Sequence, residues 1–203
     1  MKDHTTVYVL DDDWRVLDSL KALLSSAGFC VQCFPDPSSF FRLADLNIPS
    51  CLILDINLSA ATGFDVLQKI SASRSAMSVV VLSGTEDIRS AVKAMKCGAS
   101  EFLSKPIETQ ELLLAVNTAL SRAAKRCERL DALRRVSERY GKLTPREREV
   151  LPYVVRGYLN KQTAYELGRS EITIRIHRGN IMRKMQSASL PDLVRQAFQL
   201  GIA

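Results

Sequence analysis

"VYVLDDDW", residues 7–14, runs four apolar residues straight into three consecutive aspartates. The apolar run has the length and β-branched character of a buried strand. The aspartates behind it repel one another. At about 5 Å in partly buried surroundings each pair costs on the order of 3 kcal/mol. Either water solvates such a cluster or a cation neutralises it, and the rest of the chain decides between the two.

Outward from this stretch the same strand-then-polar-loop pattern recurs. "TVYVL", "FCVQCF", "CLILD", "SVVVLS" and "EFLS" read as five strands. "WRVLDSLKALLSSAG", "DPSSFFRLADL", "GFDVLQKIS", "EDIRSAVKAMKCG" and "IETQELLLAVNTAL" read as the helices that follow them, with Gly28 and Gly98 where C′ glycines belong. Short strands alternating with helices predict a parallel sheet covered on both faces, and the continuously apolar strands fit that burial. Open sheets of this kind bind ligands at the carboxyl ends of their strands. Those ends carry Asp11, Asp12 and Asp13 after the first strand, Asp55 after the third, Ser83 after the fourth, and Lys105-Pro106 after the fifth. Four loops therefore bring carboxylates, a hydroxyl and a lysine to one edge. A donor set of carboxylate oxygens suits Mg²⁺. Asp13 reads better as a helix-start acid favoured by the helix dipole.

The 203 residues suggest one or two domains, and 46% hydrophobic with 25% charged residues fits a globular chain rather than disorder. No apolar run approaches the roughly 18 residues that span a bilayer. The polar start "MKDHTT" does not resemble a signal peptide, so no membrane partner and a cytoplasmic location are expected. Of the five cysteines, Cys30 and Cys33 form a CxxC with no second pair and no nearby histidine. They read as small buried hydrophobes on a strand rather than a zinc or redox site. The net charge of +6 is uneven: residues 1–120 carry −4 and residues 121–203 carry +10. An acidic half followed by a basic half predicts two domains with different partners, the second nucleic acid.

From Ile107 to Tyr140 there is neither proline nor glycine. Leu113, Val116, Leu120, Ala123, Cys127 and Leu130 recur at alternating spacings of three and four, a heptad-like seam. This predicts one long helix ended by Gly141, its seam available for self-association or for packing on the sheet. In the basic half, "LTPREREVL" offers Thr144 as N-cap, Pro145 at N1 and Glu147 at N3, a capping box. A short helix follows, capped near Asn160. Then "RSEITIRIHRGNIMRKM" reads as a helix capped by Ser170, with Ile172, Ile176 (or Ile174), Ile181 and Met185 inward and Arg175, His177, Arg178, Arg183 and Lys184 outward. A last helix runs from about Leu190 to Leu200.

Residues 1–120 resemble a two-component receiver domain. The resemblance rests on Asp11-Asp12, Asp55 in "LILDIN", Ser83 in "VVVLSG" and Lys105 in "FLSKP". It implies a flavodoxin-like, doubly wound five-stranded sheet of order 2-1-3-4-5. It further implies that Asp55 is the phosphoacceptor. Mg²⁺ would lie on Asp11 (through water), Asp12, Asp55 and the main-chain carbonyl of Asn57. Lys105 and Ser83 would serve the phosphoryl group, and Phe102 would be the aromatic switch partner of Ser83. One departure is Leu58-Ser59, where the family commonly has Met-Pro, so the loop lacks a rigid proline. Two other classes share parts of this pattern. A haloacid-dehalogenase-type phosphatase needs a second Asp two residues after the nucleophile, where Asn57 stands. A pure interaction module would keep the fold without phosphorylation.

Residues 143–186 resemble a LuxR-type helix-turn-helix, with "LTPREREVL", "NKQTAYELGRSEITI" and "HRGNIMRKM" carrying the match. The resemblance implies that residues 171–186 enter the major groove of double-stranded DNA. Arg175 and Ile176 would face bases. Lys161, Thr173, Arg178, Asn180 and Lys184 would meet the backbone, with His177 packing or touching the backbone. Departures are Pro152 inside a helix, Thr163 in place of an apolar residue, and Gly179 near the base-facing edge. The expected architecture is an α/β receiver at 1–120, a helical linker at 121–141 and an all-α four-helix domain at 142–203. Together they resemble a response regulator of the NarL/FixJ class. That implies a sensor histidine kinase as phosphodonor, a homodimer on phosphorylation, RNA polymerase as a further partner, and no enzymatic activity beyond the receiver's own phosphotransfer and slow dephosphorylation.

Overall fold

The computed structural model describes residues 5–59, 62–73, 75–84 and 88–202. Ala60 and Ala61, and Glu86 and Asp87 at the expected start of the fourth helix, lie outside the described residues. Two compact units divide the chain, residues 1–130 and 131–203. Among the described residues no helix is long and apolar enough to cross a membrane.

In the first unit β1 (Thr6–Leu10), β2 (Cys30–Phe34), β3 (Ser50–Asp55), β4 (Ser78–Ser83) and β5 (Glu101–Ser104) alternate with α1 (Trp14–Ser26), α2 (Pro37–Leu43), α3 (Gly63–Ala72) and α4 (Ile88–Lys96), and α5 (Thr109–Gly141) follows. The strands are parallel in the order β2-β1-β3-β4-β5. Successive side chains of a strand face opposite sides, and the core divides accordingly. Val7, Val9, Ile53, Val80 and Leu82 pack with Leu17, Leu20 and Leu24 of α1 and Leu112, Val116 and Leu120 of α5. Tyr8, Leu10, Leu52, Leu54, Val79 and Val81 pack with Phe40 of α2, Val66, Leu67 and Ile70 of α3, and Ala94 of α4. Both faces are apolar because both are covered, and truncating a buried leucine such as Leu54 to Ala costs about 2–5 kcal/mol. Gly28 and Gly98 hold φ of +91° and +100° past α1 and α4, as their C′ positions require.

Two expectations change here. Cys30 is exposed and Cys33 only half-buried, because β2 is an edge strand; both are free thiols. The seam on α5 packs inward at its start: Val116 and Leu120 belong to the core under the sheet and Ala123 is buried. That stretch serves packing on the sheet rather than self-association.

The second unit comprises α6 (Pro145–Val155), α7 (Asn160–Glu166), α8 (Glu171–Met185) and α9 (Leu190–Gln199). They close around Val150, Leu151, Val154, Ile174, Ile181, Met185 and Leu193, with Val136 and Tyr140 of α5 packed against them. The capping box forms as the sequence predicts: Thr144 Oγ1 accepts from Glu147 N at 3.3 Å, and Thr144 N donates to Glu147 Oε2 at 2.8 Å. Helix α6 continues through Pro152, because Val150, Leu151 and Val154 anchor it in the core on either side. The N-cap of α7 is Leu159 rather than Asn160, and Gln162 Oε1 accepts from its N–H at 2.8 Å. Thr163 is buried, and its hydroxyl donates to Leu159 O at 3.1 Å, so a polar residue fits an apolar slot with its bond satisfied.

Candidate functional site

Strand register places the acidic residues. Leu10 lies beside Leu54 and Asp55 beside Leu82, so Asp11 and Asp55 leave the sheet next to each other. Ser83 pairs with Ser104, which sets Lys105 at the same edge, and Lys105 N donates to Ser83 O at 2.7 Å. Gly63 is obligatory for this arrangement. A Cβ there would meet Asp55 O at 2.5 Å and Ile56 Cα at 2.7 Å. The start of α3 therefore rests directly on the end of β3, and no larger residue fits without displacing the backbone of Asp55.

The side chains converge. Lys105 Nζ donates to Asp11 Oδ2 at 3.1 Å and to Asp55 Oδ2 at 3.0 Å. Asp11, only 2% exposed, also accepts from Asp13 N at 2.9 Å. Burial raises the Asp11 carboxyl above its ordinary pKa, and neither Asp13 N–H nor Lys105 fully offsets it. Burial opposes the Lys105 charge as well, but the two carboxylates outweigh it and raise the ammonium. Asp55 is buried and accepts from Asn57 N at 3.2 Å, while Asn57 itself is exposed beside it. Asp12 is exposed, and Ser59 donates to its Oδ2 from the main-chain N–H at 2.9 Å and from its hydroxyl. These donors hold the Asp12 carboxyl below the ordinary range. One oxygen from each of Asp11, Asp12 and Asp55 lies within 4.8 Å of the others. Three carboxylates facing one lysine leave excess negative charge, and an all-oxygen donor set of this kind can hold a metal ion. Asp13 is the N-cap of α1, accepting from Arg15 N at 2.9 Å and Arg15 Nη2 at 2.9 Å. Ser83 is buried at the same edge, and half-buried Phe102 packs against the Tyr8–Leu54 side of the core.

On α8 the inward face is Ile174, Ile181 and Met185. Ile172 and Ile176 are 64% and 56% exposed, so Ile172 points outward, contrary to its expected core role. Ile172, Arg175, Ile176, Gly179 and Arg183 are all exposed and fall on one helical stripe. A Cβ at Gly179 would meet nothing within 4 Å, so this stripe is an open surface. Sequence reasoning placed Arg175, Ile176 and outward-facing Arg183 here but missed Ile172, which the spacing from Arg175 could have found.

The remaining basic residues divide. Lys161 is exposed on α7. Lys184, expected to face outward and meet the DNA backbone, instead turns inward and donates to Glu147 Oε2 at 2.7 Å. Glu147 is almost fully buried at the start of α6, and its carboxyl is held low although burial opposes this, because Lys184 and Thr144 donate to it. Arg178 is half-buried, its Nη1 3.4 Å from Asn160 Oδ1 and 3.5 Å from Tyr158 O. Asn180 Oδ1 accepts from Arg183 Nη2 at 3.2 Å, and Thr173 pairs its hydroxyl with that of Ser170 at 2.8 Å. His177 is half-buried, and its Nδ1 has no hydrogen-bond partner among the described residues.

Residues 7–117 match the response regulator receiver domain, and residues 141–197 match the bacterial regulatory proteins of the luxR family. The chain is 42% identical over 201 residues to the response regulator protein TodT of Pseudomonas putida, covering 98% of this chain and 88% of that protein. It is 38% identical over 206 residues to the transcriptional regulatory protein FixJ of Azorhizobium caulinodans, covering 100% and 96%. Among solved structures, the response regulator StyR superposes with a TM-score of 0.80 at 37% identity, covering 97% of this chain and 99% of that one. Full-length FixJ from B. japonicum superposes with 0.57 at 34%, covering 98% of each. With both of its units matched and relatives aligned along nearly its whole length, the chain belongs to the NarL/FixJ class of response regulators, phosphorylation-dependent transcription regulators that join a receiver to a LuxR-type DNA-binding domain.

Proposed function

We propose that Asp55 is the phosphoacceptor and that a sensor histidine kinase is its donor. The observation that supports this best is Lys105 Nζ, lodged between Asp11 and Asp55 at 3.1 and 3.0 Å. A carboxylate oxygen of Asp55 attacks the phosphorus of a phosphohistidine. The new O–P bond forms as the N–P bond breaks, and the histidine leaves as neutral imidazole after taking a proton. Lys105 balances charge on the transferred group, and the Ser83 hydroxyl donates a hydrogen bond to it. Asp11 (through water), Asp12, Asp55 and the Asn57 carbonyl would hold Mg²⁺, which when bound neutralises charge on the phosphoryl oxygens. The receiver performs this transfer and the slow hydrolysis of the resulting acyl phosphate to the Asp55 carboxylate and inorganic phosphate, and no other chemistry.

Downstream, Ser83 shifts toward the phosphate and Phe102 packs into the space it leaves. Helix α4 exposes Ile88, Val92 and Met95, an apolar face suited to homodimer formation on phosphorylation. Residues 171–186 then bind promoter DNA, with Arg175 and Ile176 at bases. Lys161, Thr173, Arg178 and Asn180 line the backbone side, and His177 is chiefly a packing residue. Lys184 we assign to the clasp with Glu147 in place of a phosphate contact. The working division is a receiver at 1–120, a helical linker at 121–141 whose Val136 anchors in the second core, and a DNA-binding domain at 142–203. RNA polymerase and a cytoplasmic setting complete the proposal. The test is labelling with acetyl phosphate and MgCl₂, read by intact mass. The wild type should gain one phosphoryl group and Asp55→Asn none; equal label on the mutant refutes the assignment.

A further inference from the structure

The three carboxylates are not held alike. Asp11 and Asp55 share Lys105 and are buried. Asp12 is exposed, and among the described residues the donors that other residues bring to its side chain come from Ser59. An exposed carboxylate samples several rotamers, and ordering one side chain on binding costs about 0.5–1.5 kcal/mol. Here two donors from one residue fix Asp12. Both act on Oδ2, which leaves Oδ1 for a further partner. In this arrangement an oxygen of Asp12 already lies within 4.8 Å of oxygens of Asp11 and Asp55. Ser59 stands at the departure noted above, where the family commonly carries proline. Proline has no N–H and no hydroxyl, so it could supply neither bond.

We infer that Ser59 is a positioning residue for the cation site: it locks Asp12 by its outer oxygen and presents the other, so that the three carboxylates converge before a divalent cation arrives. The inference rests on the reading of Asp11, Asp12 and Asp55 as the Mg²⁺ site. The loop after β3 and the loop after β1, 47 residues apart at this contact, are thereby joined on the solvent side of the site.

The experiment titrates MgCl₂ into the metal-stripped full chain and follows Trp14, the single tryptophan, two residues from Asp12. Calorimetry provides the second readout. Ser59→Ala keeps the main-chain bond and loses the hydroxyl. It should bind Mg²⁺ about three- to tenfold more weakly, the fold-change that such an ordering cost implies. Ser59→Thr should restore wild-type affinity. Asp12→Ala should lose most of the binding. Ser59→Ala binding as tightly as wild type, or more tightly, overturns the positioning role while leaving the site intact. So does a weakened Ser59→Ala that Ser59→Thr does not rescue, since the effect then lies in the loop and not in the hydroxyl. Unchanged Mg²⁺ affinity in Asp12→Ala would instead overturn the reading of the site itself.

Discussion

Lys105 and Lys184 are built alike and do opposite things. Each is about a quarter exposed, at 29% and 25%, and each ends on a nearly buried carboxylate within 3.1 Å. The count of charges separates them. Lys184 faces Glu147 alone, so the pair is neutral, and the same Glu147 oxygen, Oε2, also accepts from Thr144 N at the cap. Lys105 faces Asp11 and Asp55 with Asp12 close by, so the group keeps a surplus of negative charge. A neutral buried pair is finished structure, while a surplus held in place by packing favours a cation. Thus one lysine clasps α6 to α8, and the other holds together two carboxylates of a cluster that could bind a metal ion.

The largest expected effect breaks the neutral pair. Lys184→Ala leaves the Glu147 charge buried without its cation, which costs about 3–5 kcal/mol. Urea unfolding should show that loss in the second unit, with no recovery on adding MgCl₂. Lys105→Ala also destabilises, because the carboxylates then repel unscreened, but MgCl₂ should recover most of the loss. If Mg²⁺ fails to rescue Lys105→Ala, the contrast between the lysines is wrong.

Next in size is Arg175→Ala. An arginine that reads a guanine edge is worth about 1–3 kcal/mol, and its loss flattens preference at one base position. Lys161→Ala should weaken all sequences alike and reduce the salt slope by about 1. Lys184→Ala, measured on protein that is still folded, should leave that slope unchanged, which separates a clasp from a phosphate contact. Binding to single-base variants of a promoter at several salt concentrations distinguishes the three.

The sheet and its acidic edge were legible because both rest on local periodicity. Alternation within β1 assigns Val7 and Val9 to one face and Tyr8 and Leu10 to the other, and the residue after each strand end falls at the ligand edge whatever the loops do. The cap at Thr144 is likewise local, spanning three residues. What stayed hidden depends on partners far along the chain. Ile172, Ile174 and Ile176 alternate at period two, which gives a helix no unique phase; Ile181 and Met185 fix it, seven and eleven residues after Ile174. Lys184 differs from exposed Arg183 by one step of about 100°, and Glu147, 37 residues away, decides which of them turns inward. Cys30 looked buried until strand order made β2 an edge. Of the three carboxylates, exposed Asp12 is held by Ser59 while Asp11 is buried, so the repulsion in the metal-free fold bears most on Asp11. Asp11→Asn should therefore raise stability in chelator by on the order of 1 kcal/mol and abolish stabilisation by Mg²⁺.

The smallest expected effect is in acid, where Glu147 and Asp11 should contribute with opposite sign. Glu147 has a folded pKa below its ordinary 4.5. Its unfolded form therefore binds more protons between the two values, so its contribution is complete above about 4.5 and is lost as pH falls through the lowered folded value. Asp11 has a folded pKa above its ordinary 3.8. The folded form then binds more protons between 3.8 and the raised value, so acidifying through that window adds stability. Each pH unit over which one group holds such a difference is worth about 1.4 kcal/mol. Asp12, Asp13 and Asp36 in the first unit and Asp192 in the second are also held low and lose stability in acid, so each contribution is read as the difference between wild type and variant, from urea midpoints in chelator followed from pH 7 downward. Glu147→Gln should flatten the second unit's fall in acid, and Asp11→Asn should steepen the first unit's. A change of the same sign in both variants would show that surplus and balanced carboxylates are not distinguished in the way their lysines suggest.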